Sequence, residues 1–215
     1  MESYIEKTAQ VSGKATIYPF VTILGNSIIE DDVKIYPYTL IINSKICNGS
    51  EVHSSHIENC TIGNGSTIYS SQVTDSFVGK SCSIGPFAHI KEYSYIQNNV
   101  RIGNFVEVKK SVIGSHTKAA HLTYIGDAEV GYNTNIGCGT VFCNYDGKLK
   151  HKTYVGSNVF VGSNVNLIAP IKIGDGCFIA AGSTVSKSLD KNSFCIERGE
   201  MRVKQKRMRD NLGNR

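Results

Sequence analysis

One aliphatic residue recurs at about every sixth position for most of the chain, and few folds tolerate that rhythm. The series runs Val11, Ile17, Ile23, Ile29, Ile35, Ile41, and continues through Ile84, Ile90, Ile96, Ile102 and Val108. It passes Ile113, Ala119, Ile125, Val130, Ile136 and Phe142, then returns as Val155, Val161, Leu167, Ile173, Ile179 and Val185. Some steps are five residues, as from Val108 to Ile113. A period of six fits neither an amphipathic helix nor a half-buried strand alternating at every second residue. It does fit one short strand and one turn per repeat. Three repeats then close a triangular coil of about eighteen residues, stacked on the next at roughly 4.8 Å. Isoleucine and valine suit the role, because β-branched chains pack well on a pleated surface. A sandwich or barrel would show turn signals at about eight to twelve residues instead. The expected fold is all-β: a parallel β-helix of about ten coils, in which neighbouring coils bury one continuous core. Its expected bounds are residues 11–190, after a lead-in of residues 1–10 and before a basic tail of residues 191–215.

Composition narrows the setting. Long apolar runs are missing, and Met1-Glu2-Ser3-Tyr4 does not read as a signal peptide, so the expectation is a cytoplasmic chain without a membrane span. Seven cysteines form an odd set without a CxxC motif. Most fall in or beside repeat positions, where cysteine serves as a small apolar residue. That argues for a reducing compartment and against a disulfide framework or structural zinc. The net charge is +5, and Arg198, Arg202, Lys204, Lys206, Arg207, Arg209 and Arg215 outweigh Glu200 and Asp210 by the same +5. Such a tail reads as a solvated terminus or as an arm for an anionic ligand. Without interleaved aromatics it is a poor nucleic-acid signature.

Repeat folds place function where the repeat breaks. The clearest break follows Phe142, in Cys143-Asn144-Tyr145-Asp146-Gly147-Lys148-Leu149-Lys150-His151-Lys152-Thr153. Asp146-Gly147 is a turn signal, and three lysines make the loop cationic. A second irregular stretch runs from Asn104 to Lys110 and from Lys118 to Asp127, with Ala119 at an aliphatic position. Lys109 lies about one coil before His121 and Tyr124, and is expected near His121 in the stack. A histidine beside a lysine and a tyrosine is a candidate for chemistry.

The segments Gly103-Asn104-Phe105-Val106-Glu107, His121-Leu122-Thr123-Tyr124-Ile125-Gly126-Asp127-Ala128-Glu129, Asn135-Ile136-Gly137 and Cys143-Asn144-Tyr145-Asp146-Gly147 resemble one family closely. It is the acetyltransferase domain of the bacterial bifunctional N-acetylglucosamine-1-phosphate uridyltransferase/glucosamine-1-phosphate N-acetyltransferase, of the hexapeptide-repeat class. Nothing in the chain resembles that enzyme's glycine-rich nucleotide-binding loop, so uridyltransferase activity does not carry over.

The resemblance implies a left-handed coil and acetyl transfer from acetyl-CoA to the amine of glucosamine 1-phosphate, for UDP-N-acetylglucosamine synthesis. It implies His121 as general base. It implies Lys91, Lys109, Tyr124, Asn135 and Lys150 as ligands of the sugar phosphate. It implies Cys138, Asn144, Tyr145, Ser163, Ala181 and Arg198 as coenzyme-lining positions. It also implies a homotrimer with sites between subunits, and no metal. The residue types suit the chemistry: an imidazole can deprotonate an amine near neutral pH, and lysines pair with phosphate. No acyl-enzyme is required, so no cysteine need be a nucleophile. Lys91 stands where the family has arginine, keeping the charge but losing the bidentate fork. Cys138 stands where the family has alanine.

Three other readings remain open on the sequence. One is acetyl transfer to another amino sugar or amine. Another is a γ-class carbonic-anhydrase-like metal enzyme using His116 and His121 with a third histidine. The last is a non-catalytic scaffold.

Overall fold

A computed structural model describes residues 2–203. The remainder of the basic tail, from Lys204 to Arg215, lies outside the described residues. The chain forms a left-handed parallel β-helix of about eleven turns. All the strands pair in parallel, each with its counterpart in the next coil, as in Thr22↔Leu40 and Leu40↔His56. Among the described residues no helix is long and apolar enough to cross a membrane.

Each coil has three flat faces. The first carries, in successive coils, Thr22–Leu24, Leu40–Ile42, His56–Glu58, Gln72–Thr74 and His89–Lys91. The second begins with Gln10–Val11 and Ile28–Ile29, and the third with Thr16–Ile17 and Lys34–Ile35. The coil is longer at both ends than the repeat suggests. Tyr4–Ile5 already pairs with Thr22–Ile23, and Phe194–Cys195 still pairs with Phe178–Ile179. Tyr4–Ile5 and Phe194–Cys195, outside the expected bounds, therefore belong to the coil. These outer turns lack a full aliphatic set, which hides them in the sequence.

Each face sends one row of side chains inward, giving three largely aliphatic columns. Ile23, Ile41, Ile57, Val73, Ile90, Val108, Ile125, Phe142 and Leu167 form one, and every one is fully buried. Burial contributes about 1.5–3 kcal/mol per large aliphatic side chain. Between faces, small hydroxyl residues turn the corners and are themselves buried. Most of these oxygens accept from the backbone of the next coil: Ser44 N–H donates to Ser27 Oγ at 3.2 Å, and Cys60 N–H to Ser44 Oγ at 3.0 Å, while Thr39 and Thr153 are exceptions. Serine and threonine thus satisfy polar groups that the core would otherwise strand. Cys60, Cys82 and Cys177 occupy such corners, and all seven cysteines are free thiols.

Two strands break the short-strand rule. Arg101–Lys109 and Lys118–Gly126 each run nine residues, round the corner from the third face to the first. They are joined by seven register pairs, from Arg101↔Lys118 to Lys109↔Gly126. This double-width ribbon is the platform on which the candidate site is built.

Candidate active site

The nine-residue ribbon fixes His121 at the corner. Its register partner is Asn104, whose Oδ1 lies 2.5 Å from His121 Nδ1. With Asn104 Oδ1 as the acceptor, the neutral imidazole carries its proton on Nδ1 and leaves the Nε2 lone pair free. His121 is exposed, so Nε2 is open to a ligand. The expected neighbour, Lys109, is instead the register partner of Gly126. The reason is the stride: these coils repeat at seventeen residues, which carries Asn104, not Lys109, to His121.

The corner holding His121 continues as an axial column. Gly139 N–H donates to the Leu122 carbonyl (2.9 Å), Asn164 N–H to Cys138 (2.7 Å), and Gly182 N–H to Ser163 (2.8 Å). His121, Cys138, Ser163 and Ala181 are therefore stacked coil upon coil. Arg198 extends the stack, its Cδ passing 3.6 Å from where a side chain on Gly182 would begin. Beside this column run Gly103, Ala120, Gly137 and Gly162. A Cβ on Gly137 would lie 2.5 Å from the Gly162 carbonyl carbon, and one on Gly162 2.5 Å from Ala181 N. The backbone is bare here because the coils leave no room for side chains.

A second cluster lies on the first face. Lys91 and Lys109 are register partners, as are Glu107 and Tyr124. Lys91 pairs with Glu107 at 2.9 Å and Lys109 with Glu92 at 3.1 Å. Tyr124 lies over Gly126, where any Cβ would meet its hydroxyl. Asn144, almost fully buried, donates Nδ2 to Asp127 Oδ2 (2.6 Å) and reaches Tyr124 Oη (3.3 Å). A carboxylate cannot donate, so Asp127 fixes the amide with Nδ2 toward both partners. Tyr124 Oη then accepts from Asn144, which leaves its own proton free to donate outward.

The inserted loop closes over this face as a tight hairpin. Tyr145 and Lys150 bridge antiparallel, and Asp146 Oδ1 accepts from the N–H groups of Lys148 and Leu149 at 2.7 Å each. Asp146 Oδ2 meets His151 Nε2 at 2.7 Å. The Leu149 N–H and then His151 hold the Asp146 carboxyl down to about 2. The hairpin brings Lys150 beside Lys109, and the facing Lys109 ammonium pushes Lys150 below the usual lysine range. Two cations held together in this way make a seat for an anion.

The sequence-derived residues thus fall into two groups on one chain. Lys91, Lys109, Tyr124, Asn144 and Lys150 share the first face and its loop. His121, Cys138, Ser163, Ala181 and Arg198 share the corner. Tyr124 joins the groups, three residues after His121 on one strand. Asn144 is committed to Tyr124 rather than to the corner, and Tyr145 is exposed, its hydroxyl donating to the Gly147 carbonyl at 2.7 Å. Asn135 lies on the third face beside Lys118, away from the lysines. Asn104, Glu92, Glu107 and Asp127 went unremarked as site residues in the sequence. The signal that finds three of them is the coil stride: Asn104, Asp127 and Glu92 each precede their partner by seventeen residues.

His116 and His121 do not converge. His116 turns the corner between the second and third faces, one face away from His121. A groove of about 700 Å³ lies elsewhere, on the second face along Tyr154, Lys172 and Leu189. A smaller one of about 250 Å³, lined by Lys110, Asp127, Lys150, His151 and Lys152, adjoins the lysine cluster.

Residues 42–133 match a family described as GlmU-like, C-terminal hexapeptide, and residues 152–187 match the bacterial transferase hexapeptide repeats. The bifunctional protein GlmU of Caldicellulosiruptor saccharolyticus is 44% identical over 196 residues, covering 91% of this chain and 39% of that protein. That of Clostridium acetobutylicum is 44% identical over 203 residues, covering 94% and 41%. The chain spans about two fifths of the length of these curated relatives. Among solved structures, the UDP-N-acetylglucosamine acyltransferase of Campylobacter jejuni is 18% identical with a TM-score of 0.46, covering 86% of this chain and 70% of that one. The match to GlmU over nine tenths of this chain decides the kinship: the chain belongs to the hexapeptide-repeat transferase family and resembles the acetyltransferase domain of GlmU.

Proposed function

We propose that this chain is an acyltransferase that moves the acetyl group of acetyl-CoA onto the amine of glucosamine 1-phosphate. The observation that carries the reading is His121, held by Asn104 with Nε2 free, between a bare-backbone column and a lysine-rich face. In the reaction the neutral amine nitrogen attacks the thioester carbonyl, the C–S bond breaks, and CoA leaves as a thiolate that becomes the thiol by taking up the proton the amine has lost. Nε2 takes the proton that the amine must lose, and general-base help of this kind is worth about 10²–10⁴-fold.

The sugar's phosphate is assigned to Lys109, Lys150 and Lys91, with Tyr124 donating its free proton and Asn135 as a further ligand. The extended thioester chain is assigned to the outer side of this column, where Gly137 and Gly162 bring no side chain. Cys138, Ser163 and Ala181 would line it, with Arg198 toward the coenzyme's phosphates and Asn144 and Tyr145 toward the acetyl end. A homotrimer belongs to the same reading. Phe87, Phe105 and Leu122 stand exposed beside His121 and its partner Asn104, and Asn135 lies on the third face rather than with the first-face lysines. A second copy would cover the first set and complete the site. A monomeric mass in solution would count against it.

The test is thiol release from acetyl-CoA with glucosamine 1-phosphate, glucosamine 6-phosphate and free glucosamine, with and without chelator. Fast release with glucosamine 1-phosphate alone, indifferent to chelator, is expected. Fast release with a different acceptor would favour the second reading, transfer to another amino sugar, which Lys91 in place of the family arginine keeps in play.

A further inference from the structure

The corner that follows Lys91 differs from its neighbours in the stack. Between the first and second faces, nearby coils turn through a single residue in the left-handed region: Asn59, Asp75, Lys110, Asp127. This coil uses two in succession, Glu92 at φ 52° and Tyr93 at φ 59°. Bulky residues resist that conformation, and such strain concentrates at functional positions. The extra residue lets Glu92 reach back over the first face. Its carboxylate lies 3.1 Å from Lys109 Nζ, and Lys150 and Lys91 also act on it. Glu92 is therefore paired with Lys109 and lies within the field of Lys150 and Lys91. These lysines are the same three assigned above to the acceptor's phosphate.

We propose that Glu92 is a built-in competitor for that phosphate seat: its carboxylate fills the seat when no acceptor is bound and yields to a dianionic phosphate. The proposal rests on the phosphate assignment made under the proposed function. The charges explain why the exchange runs one way. Lys91 already answers Glu107. Lys150 has no ion-pair partner among the described residues, so with Glu92 seated the cluster still carries surplus positive charge. A dianion neutralises more of that surplus than a carboxylate does. Glu92 is also half exposed, and solvent weakens its hold, so it is displaceable. A monoanionic ligand offers no such gain. Glu92 thus raises the threshold charge for binding, a specificity device that works by exclusion.

The probe is inorganic phosphate, titrated calorimetrically at pH 8 into the full chain, with acetate as the monoanion control. Glu92→Gln is expected to bind phosphate roughly fivefold tighter than wild type, the factor that corresponds to releasing one exposed ion pair. Its KM for glucosamine 1-phosphate is expected to fall by a similar factor. Adding Lys109→Met to Glu92→Gln removes the gain, because the released lysine is then missing. Equal or weaker phosphate binding by Glu92→Gln overturns the proposal and makes Glu92 a support for Lys109. The two readings fail separately. Absence of acetyl transfer to any acceptor defeats the proposed function, while phosphate titration still judges Glu92. Transfer to glucosamine 1-phosphate with an unchanged KM in Glu92→Gln defeats only the competitor.

Discussion

The coils around Ile41 to Ile84 and those from Ile90 to Val155 share one core and differ in what faces outward. In both, the inward columns are aliphatic and essentially dry. In the first region the outward positions hold mixed polar side chains and stacked rings, such as Tyr36 on His53 at 3.8 Å. The strands there are two or three residues long, and every corner breaks them. In the second region two strands run through the corner, a loop is inserted, and lysines, carboxylates and His121 gather on one face. The contrast separates two demands on one sequence. Inward residues are chosen for packing alone, so they repeat. Outward residues are free of that demand, so chemistry can be written there without disturbing the coil.

The sharpest way to break this comparison is to remove an outward residue that the core does not need. His121→Ala is expected to lower kcat for acetyl transfer about 10²–10⁴-fold. It should leave the unfolding transition and the oligomeric mass unchanged, because His121 is exposed and its one side-chain hydrogen bond among the described residues is to Asn104. Thiol-release kinetics beside a denaturant curve checks both halves. Undiminished turnover would remove His121 as base. A collapsed transition would show that the outward face is structural after all.

The converse change is Ile90→Ala, directly beneath Lys91. Ile90 is fully buried in the first-face column, so the loss of packing is expected to cost about 2–5 kcal/mol. Chemical denaturation reads it. The same substitution at Ile57, in the regular coils, should cost a similar amount. A large gap between the two would mean that the two regions do not share one core.

How far the sequence discloses each region follows from the same division. The inward columns are legible because each position answers to a single constraint, burial, repeated in every coil. The loop is legible because it interrupts that repetition. Asn104, Glu92 and Asp127 are not, because each acts on a residue one coil away. That distance is set by register, and the stride shifts from sixteen to eighteen residues along the stack. Without the register, Lys109 is as plausible a neighbour for His121 as Asn104. The outermost coils were hidden for a different reason: Tyr4–Ile5 and Phe194–Cys195 pair on one side only and so require less apolar surface.

A finer cut separates residues that meet a ligand from residues that aim them. Asp127 lies beneath the face and reaches Tyr124 only through Asn144. Asp127→Asn keeps the shape but lets the Asn144 amide turn over, and Tyr124 then loses its fixed donor direction. Given Tyr124's assignment to the sugar phosphate, the effect should fall on KM for glucosamine 1-phosphate. A rise of about tenfold is expected, the size of losing one hydrogen bond to a charged group. KM for acetyl-CoA should hold. If kcat falls with both KM values unchanged, Asp127 acts on chemistry rather than on aiming.

The smallest effect concerns the loop, and it is a pH effect. Asp146 has its carboxyl held near 2, below its ordinary 3.8, by the Leu149 N–H and by His151. A carboxyl with a depressed folded-state value favours the folded hairpin wherever it is ionised. That contribution is complete above about pH 4 and disappears as the pH falls through about 2. Because Asp146 is exposed, the hairpin is expected to loosen locally while the coil stays intact. Hydrogen exchange across residues 143–153 should therefore quicken, relative to the intrinsic rate, between pH 4.5 and pH 2.5, with the core amides of Ile90 and Val108 still protected. Asp146→Asn should show the loosened hairpin at both pH values. Equal protection of the hairpin at the two pH values in wild type would mean that the Tyr145–Lys150 bridge, not the carboxylate, holds Lys150 over the first face.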